Sequence, residues 1–239
     1  MGIMNVTPDS FFAPSRAQNA AEMKARVQDL LSRGCTIIDI GPISTRPGAP
    51  DVSLEDEWKR LEPALEITKP MVDEAGAQIS VDTFRSEIVR RTFNKIGRFI
   101  VNDISAGEDD EAMLSTVAEL GLPFIAMHKR GNPRSMDNMV DYPEGVTAAV
   151  IKYFEEFTLR AAAAGISDWI VDPGFGFAKT SAQNWELLRN SGQLKRFGKP
   201  LLIGVADKRF TKDPEFNRGD LGLAEKIAIE VGADILRIH

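Results

Sequence analysis

Residues 25–41 read ARVQDLLSRGCTIIDIG, and this stretch decides the fold class. Its first half continues a helical spacing of apolar residues that spans positions 19–33, and Gly34 follows where a left-handed residue commonly ends a helix. Its second half, residues 36–41, is β-branched and apolar on both faces, as expected for a strand that is covered on both sides. A helix, a glycine and a buried strand in this order predict a parallel α/β fold.

The same order recurs along the whole chain, and eight strands with intervening helices favour a closed (β/α)8 TIM barrel in one domain over residues 1–239. The rival is an open doubly wound sheet, which requires a glycine-rich turn after its first strand. Asn-Val-Thr-Pro-Asp at 5–9 is not such a turn. The predicted strands are 2–6, 36–41, 78–83, 99–103, 123–128, 169–174, 200–205 and 234–239, and the predicted helices are 19–33, 53–75, 85–95, 109–120, 145–164, 181–191 and 220–231.

Composition narrows the possible partners of this chain. Its 239 residues carry a formal net charge of −6, which provides no basic field for nucleic acid or an anionic membrane. No apolar run reaches membrane-spanning length, and no signal peptide is visible. Cys35 is the single cysteine, so we expect no internal disulfide and a reduced, cytoplasmic location. Because the eighth strand ends at His239, we also expect the final helix of a complete barrel to be missing here.

Polar residues collect where the predicted strands end. Catalytic groups of (β/α)8 barrels lie at the carboxyl ends of the strands, so these side chains are expected to share one mouth although they are distant in sequence. A single such residue means little, because Asp and Asn are common in turns. The set consists of Asn5, Asp39, Asp82, Asn102, His128, Asp172, Arg237 and His239, with Lys208 just past the seventh strand.

The chemistry of this set favours two kinds of ligand group. Carboxylates and carboxamides can accept the adjacent N–H donors of a 2-amino-4-oxo heterocycle, and a lysine can serve its acceptor side. The polar loop at residues 44–48, Ser-Thr-Arg-Pro-Gly, together with Arg237 suits phosphate oxygens. Asn5 could offer an oxygen ligand to Mg²⁺, which usually takes few protein ligands. Two histidines and one cysteine, widely spaced, do not form a zinc motif.

Over nearly its whole length the sequence resembles the dihydropteroate synthase family. The resemblance rests on seven motifs in family order rather than on any one of them. They are Met-Asn-Val-Thr-Pro-Asp-Ser-Phe at 4–11, Asp-Ile-Gly at 39–41 with Ser-Thr-Arg-Pro-Gly-Ala at 44–49, Ser-Val-Asp-Thr at 80–83, Val-Asn-Asp-Ile-Ser at 101–105, Met-His at 127–128 with Gly-Asn-Pro at 131–133, Asp-Pro-Gly-Phe-Gly-Phe at 172–177, and Arg-Ile-His at 237–239.

The resemblance implies the reaction and a division of labour. A pterin diphosphate would lose its diphosphate in an SN1-like step, and the amine of p-aminobenzoate would attack the resulting cation, with Mg²⁺ as cofactor and a homodimer as the assembly. The implied roles are Asp39, Thr45, Arg46 and Lys208 in catalysis; Asp82, Asn102, Ile104, Met127, Asp172 and Lys208 for the pterin; Asn5, Thr45, Arg237 and His239 for the diphosphate; Arg46, Pro47, Phe177 and Ala206 for p-aminobenzoate; and Asn5 for the metal.

The family pattern breaks after the seventh predicted strand. The usual Ser-Arg-Lys is replaced by Ala206-Asp207-Lys208, a change of two charge units that predicts an altered subsite for p-aminobenzoate and its sulfonamide mimics unless Arg209 or Lys212 compensates. Ala178 stands where a glycine is usual, and residues 209–219 are expected to form a polar loop. Two alternatives stay open: a non-catalytic pterin-binding paralog, and a methyltetrahydrofolate methyltransferase, which would not need the diphosphate residues.

Overall fold

The structure, a computed structural model, describes residues 1–7, 19–43, 51–131, 139–217 and 219–239. These residues form two compact units. The first comprises Met1–Asp103, Gly107–Phe124 and His239, and the second comprises Ile104–Ala106 and Ile125–Ile238. The single domain over residues 1–239 therefore stays a prediction. In the described ranges, no helix combines the length and apolarity needed to cross a membrane.

The first unit alternates strands and helices, and its strands pair in parallel in the order β1-β2-β3-β4. The register places Asn5 beside Gly41, and Asp82 beside Asn102. Its elements are β1 Gly2–Asn5, α1 Ala20–Ser32, β2 Ile37–Gly41, α2 Leu54–Ala75, β3 Gln78–Asp82, α3 Ser86–Ile96, β4 Ile100–Asp103 and α4 Met113–Leu120.

The second unit continues the alternation with shorter strands at its end. β7 and β8 pair in parallel over two residues each, and Val171 bridges to Leu201 in the same direction. Its elements are β5 Phe124–Met127, α5 Val146–Ala164, β6 Trp169–Asp172, α6 Ser181–Asn190, a 3₁₀ helix Ser191–Phe197, β7 Leu202–Ile203, a 3₁₀ helix Arg209–Lys212, α7 Pro214–Asn217, α8 Leu223–Glu230 and β8 Ile235–Leu236.

Each predicted strand and helix has a counterpart, with bounds that differ by a few residues. The glycines at positions 34, 76, 121, 165 and 232 all have positive φ, which confirms that they end their helices. The prediction of a polar loop at 209–219 is wrong, because a 3₁₀ helix and α7 occupy most of this segment. Phe210 anchors this segment: its ring is buried, and its carbonyl accepts a hydrogen bond of 3.2 Å from Trp185 Nε1.

The core of each unit follows from the apolar positions of its own elements. In the first unit Ile38 and Ile40 of β2 are fully buried, as are Leu61 and Leu65 of α2. The second unit holds an aromatic cluster in which Trp169 stacks on Phe154 at 6.2 Å and meets the edge of Phe157 at 5.0 Å. Burial of such large side chains is the main favourable contribution to folding, and it makes the strands a rigid support for their polar ends.

Truncation of a buried leucine in α6 should destabilise the second unit. Leu188 is fully buried, whereas Leu159 of α5 is 73% exposed. Leu188→Ala removes packed methyl groups and leaves a cavity, so the free energy of unfolding should fall by about 2–5 kcal/mol. Leu159→Ala is the matched control and should change it by less than about 0.5 kcal/mol. Urea titrations measure both, and equal effects would contradict this account of the core.

Candidate active site

In the first unit, four of the predicted residues lie at one edge of the sheet. Asn5, Asp39, Asp82 and Asn102 stand at or near the carboxyl ends of the neighbouring strands β1 to β4, as their pairing register requires. Asp39 is fully buried and Asn102 is almost so, while Asp82 is half-buried. This edge therefore presents carboxylate and carboxamide groups on a support of apolar strands.

The Asp39 carboxylate is held by donors from two adjacent strands. Ser80 Oγ donates to Asp39 Oδ1 at 2.7 Å, and Asn102 Nδ2 lies 3.3 Å from both carboxylate oxygens. A buried carboxylate is costly unless neighbouring donors satisfy it, so these contacts offset the cost of its burial and fix its orientation. Ser80 was not predicted as a site residue. It lies two residues before Asp82 and therefore on the same face of β3, which could have indicated a place in the site.

Asn5 offers a hard oxygen ligand beside a glycine. A Cβ atom at Gly41 would stand 2.9 Å from Asn5 Oδ1, so the missing side chain leaves room for that oxygen. Among the described residues no group of three or more Asp, Glu, His and Cys could hold a metal ion. A metal with few protein ligands, such as Mg²⁺, nevertheless fits this carboxamide.

A second buried carboxylate in this unit belongs to Glu57 of α2, which the sequence analysis also missed. Thr83 Oγ1 donates to Glu57 Oε1 at 2.7 Å, and Arg85 forms an ion pair with its other oxygen. Burial raises the pKa of Glu57, and the contacts with Thr83 and Arg85 oppose that shift. Arg85 Nη2 also donates to the Val52 carbonyl at 2.6 Å. The cluster thus fixes the segment that follows Asp82. Glutamate is seldom buried, so pattern alone could not reveal it.

In the second unit, Asp172 at the end of β6 is surrounded by positive charge. Burial raises the pKa of its carboxyl group, while the Gly174 N–H, at 2.8 Å from Oδ1, and the cations of Lys208, Arg237 and Lys179 favour the carboxylate. Arg237 packs beside Gly204. A Cβ atom added at Gly204 would stand 3.5 Å from the Cβ atom of Arg237. A buried acceptor with several cations around it suits a ligand that has both N–H donors and negative charge.

The loop after β6 has a backbone that requires glycine at Gly174. Its φ is +70°, and a Cβ atom there would come within 2.0 Å of the His128 carbonyl oxygen. Asn184 of α6 supports the loop by accepting from Gly176 N at 2.8 Å. The Phe177 ring then lies 5.0 Å from Lys208 Nζ, in a cation–π contact. Ala178 has φ +50°, a conformation that a glycine would adopt with less strain.

Lys179 and His128 form a buried pair that the sequence analysis did not single out as a unit. Lys179 Nζ lies 3.0 Å from His128 Nδ1. Burial is the main cause that lowers the pKa of Lys179 from 10.5 to about 7, against the opposing charge of Asp172. Burial likewise lowers the pKa of His128 well below 6.5, with help from Lys179 and Arg130. Lysine is mostly an exposed residue, so nothing in the sequence marked this one as buried.

The remaining predicted residues divide among three places. Ile104 and Met127 are buried in the second unit, and Ala206 is half-buried there. Asp207 adopts φ +56°, and its carboxylate pairs with Lys212 at 3.1 Å. Lys212 is thus engaged by Asp207, and the pair adds no net positive charge where the family has an arginine. Thr45, Arg46 and Pro47 lie outside the described residues, as do positions 8–18 and 132–138.

His239 is placed with the first unit, whereas Arg237 belongs to the second. The His239 carbonyl oxygen accepts from Arg33 Nη2 at 2.9 Å. Arg33 caps the carboxyl end of α1, and the adjacent Leu30 and Cys35 pack on Gly2 at the start of β1. This contact therefore lies toward the amino ends of the strands, opposite to Asn5 and Asp39. A role for His239 in diphosphate binding stays a prediction.

Comparison with known proteins places this arrangement in a family. The family model for pterin binding enzymes matches residues 1–239. A folic acid synthesis protein of Pneumocystis carinii is 39% identical over the whole chain, which spans 33% of that fungal protein. A dihydropteroate synthase of Synechocystis is 38% identical over the whole chain, which spans 84% of it.

Solved structures agree with these relatives. Dihydropteroate synthase of Xanthomonas albilineans, solved with 4-aminobenzoic acid, has a TM-score of 0.83 and 33% identity, covering 100% of this chain and 86% of that one. The enzyme of Yersinia pestis, solved with a sulfonamide drug complex, has a TM-score of 0.87 and 32% identity over the same shares. The predicted (β/α)8 fold class is thereby confirmed. The chain belongs to the pterin-binding enzymes, and within them it is a transferase of the dihydropteroate synthase family.

Loss of the Ser80 hydroxyl should weaken the support of Asp39. Ser80→Ala removes the 2.7 Å hydrogen bond to the buried carboxylate, which is shorter than the 3.3 Å contacts from Asn102. We expect the free energy of unfolding to fall by about 1–3 kcal/mol, the usual effect for a hydrogen bond to a buried charge. Ser115→Ala in α4, where the hydroxyl is exposed, is the control. If both variants unfold at the wild-type denaturant midpoint, the Asp39 network does not carry the stability assigned to it.

Proposed function

We propose that the protein condenses 6-hydroxymethyl-7,8-dihydropterin diphosphate with p-aminobenzoate, giving 7,8-dihydropteroate and pyrophosphate. The observation that carries this proposal is the Asp172 carboxylate at the end of β6, which stands near the cations of Lys208 and Arg237 in a member of the dihydropteroate synthase family. Such a site offers an acceptor for heterocyclic N–H groups and cations for a diphosphate.

The pterin ring is assigned to acceptors and donors at the strand ends. Asp82 and Asp172 accept its N–H groups, Asn102 can both donate and accept, and Lys208 donates to a ring acceptor. Ile104 and Met127 are buried apolar side chains that would pack against the ring faces. The half-buried Asp82 and the nearly buried Asn102 support this assignment, because hydrogen bonds are strongest where water is excluded.

The diphosphate is assigned to Asn5, Thr45, Arg237 and His239. The guanidinium of Arg237 can bind two phosphate oxygens at once. Asn5 would hold Mg²⁺ through its carboxamide oxygen, and when bound the ion would neutralise charge on the leaving group. Thr45, and Arg46 beside it, have the hydroxyl and guanidinium groups that phosphate binding requires.

The chain itself needs to supply orientation and electrostatic stabilisation rather than a nucleophile. The carbon–oxygen bond to the diphosphate breaks first, and both electrons leave with the diphosphate. The amine nitrogen then bonds to the cationic methylene carbon and loses a proton. Asp39 is assigned to stabilise that cation, and its contacts with Ser80 and Asn102 hold it in one orientation beforehand. Lys208 and Arg46 are assigned to the developing negative charge.

p-Aminobenzoate is assigned to Arg46, Pro47, Phe177 and Ala206. Phe177 supports this because its ring is fixed between the glycine-containing loop and Lys208, and an aromatic amine can pack on it. Sulfonamides, which share the aromatic amine, would use the same subsite. We further propose that the protein is a homodimer, on the basis of its resemblance to the family. We propose a cytoplasmic location because its single cysteine, Cys35, is a buried free thiol.

Pyrophosphate release tests the reaction. We expect release that requires both substrates and Mg²⁺ together, and a drop of at least about a hundredfold in Asp172→Asn, since a preorganised charged group is replaced. Asp168→Asn, an exposed position before β6, is the control and should keep wild-type turnover. Tight pterin binding without pyrophosphate release would instead identify a non-catalytic pterin-binding protein. Methyl transfer from a methylated folate would identify the methyltransferase alternative.

The departure at Asp207 predicts weak binding of p-aminobenzoate. Asp207→Arg changes the local charge by two units and frees Lys212 from its ion pair, so two cations become available to the benzoate carboxylate. The KM for p-aminobenzoate should fall by about three- to tenfold, with a similar gain in sulfonamide affinity, an effect of the size of an exposed charge contact. Glu215→Arg, an equal charge change on exposed α7, is the control. An unchanged or higher KM in Asp207→Arg would refute this reading of the subsite.

A further inference from the structure

Lys179 is a buried lysine to which the proposed reaction assigns no role. Its Nζ lies 2.8 Å from the Gly174 carbonyl oxygen, 3.0 Å from that of Phe177 and 3.0 Å from His128 Nδ1. A lysine ammonium has three N–H donors and no acceptor. The three contacts therefore use every donor of a charged Lys179.

The contact with His128 defines the state of that imidazole. A charged Lys179 can only donate to Nδ1, which places the ring proton on Nε2, and burial holds the pKa of His128 well below its usual range, so the ring is neutral. The ring is also fixed from its other side, where it meets Tyr153 edge-on at 5.0 Å. Tyr153 Oη in turn donates to the Met127 carbonyl at 3.4 Å. His128 is thus a rigid acceptor at the end of β5.

The other two contacts lie on the loop that carries proposed substrate groups. Gly174 and Phe177 belong to the turn that begins at Asp172, and the Gly174 N–H donates to the Asp172 carboxylate at 2.8 Å. Phe177 supplies both a carbonyl to Lys179 and a ring to the Lys208 contact. One ammonium therefore joins the end of β5 to two points of this loop.

We propose that Lys179 is a positioning residue, whose ammonium ties His128 to the loop after β6 and thereby fixes Asp172 and Phe177. Its effect on the two substrates rests on the proposed function, which assigns Asp172 to the pterin and Phe177 to the aromatic amine. Neither substrate is assigned to Lys179 itself. The tie between Lys179 and His128, in contrast, is a property of the folded chain and can be tested without substrates.

The charged groups around Lys179 make this tie dependent on pH. Asp172 of β6 favours the ammonium, whereas Lys208, Arg130 after β5 and, most of all, burial disfavour it, and the pKa falls to about 7. A neutral amine has two N–H donors and one lone pair. Above that pH Lys179 can keep both carbonyl contacts only if His128 donates to it from Nδ1, so the imidazole must change tautomer.

Nitrogen NMR of the histidine rings tests the tie directly. The chain has two histidines, so labelled imidazole gives two sets of signals, and a His239→Gln variant assigns them. At pH 6 His128 should be neutral with its proton on Nε2, and the proton should move to Nδ1 as the pH rises through about 7. Lys179→Met should abolish this exchange. An Nδ1–H ring or an imidazolium at pH 6, or an exchange that persists in Lys179→Met, would overturn the proposal.

Stability provides a second measurement that needs no substrate. Between pH 7 and 10.5 the unfolded chain binds more protons at Lys179 than the folded chain does, so the free energy of unfolding gains a positive slope with pH. Below pH 7 the burial penalty on the ammonium is fully present. The difference in unfolding free energy between wild type and Lys179→Met should therefore change across this window. A constant difference would argue against a buried, titrating Lys179.

Substrate constants test the positioning. Lys179→Met should raise both the Kd for 6-hydroxymethylpterin and the KM for p-aminobenzoate at least about tenfold, with a smaller fall in kcat. Lys199→Met is the control, because Lys199 is half-buried and its hydrogen bond to the Ser167 carbonyl is exposed. Lys179→Gln, which keeps two N–H donors, replaces Lys179→Met if the latter does not fold. Unchanged constants would refute the positioning role, while absence of pyrophosphate release in wild type would refute the proposed function and leave the NMR result valid.

Discussion

Buried carboxylates at the carboxyl ends of parallel strands are the constraint on which the rest of the structure depends. Asp39 in the first unit is fully buried and Asp172 in the second is half-buried, so both carboxylates lose solvation that an isolated charge needs. In each unit a different set of neighbouring groups stabilises the carboxylate. Hydroxyl and carboxamide groups from neighbouring strands hold Asp39, and a backbone N–H with three nearby cations holds Asp172.

Much of this arrangement could be predicted from sequence because it follows from strand periodicity. Glycines after most of the predicted helices, with apolar β-branched runs, predicted the order of elements, and the strand ends predicted Asn5, Asp39, Asp82, Asn102 and Asp172. The 209–219 segment was misassigned because its two phenylalanines, Phe210 and Phe216, stand among polar and charged residues. Its anchoring by Trp185 depends on a contact between residues far apart in sequence.

The supporting residues were harder to predict than the residues they support. Ser80, Glu57 and Lys179 belong to types that usually face solvent or form caps, and each is buried here because a distant partner satisfies it. Sequence alone does not show which serine or lysine has such a partner. Asp207 differs, because the sequence predicted its unusual charge, whereas its ion pair with Lys212 became visible only in three dimensions.

Rigid support of buried charge suits a reaction that depends on leaving-group departure. Electrostatic stabilisation is effective when the groups are oriented before the reaction begins, and the contacts to Asp39 and Asp172 provide that orientation. The loop after β6 has a specific backbone conformation, with positive φ angles at Gly174, Gly176 and Ala178. Asn184 of α6 and Lys179 both contact this loop, and Lys179 also contacts His128.

The central claim is that the Asp172 carboxylate at the end of β6 binds a pterin. A crystal structure of the protein with 6-hydroxymethylpterin monophosphate tests it most directly. The account predicts ring N–H groups within hydrogen-bond distance of the Asp172 carboxylate, with the phosphate near Arg237. A pterin bound elsewhere, with Asp172 contacted only by protein groups, would contradict it.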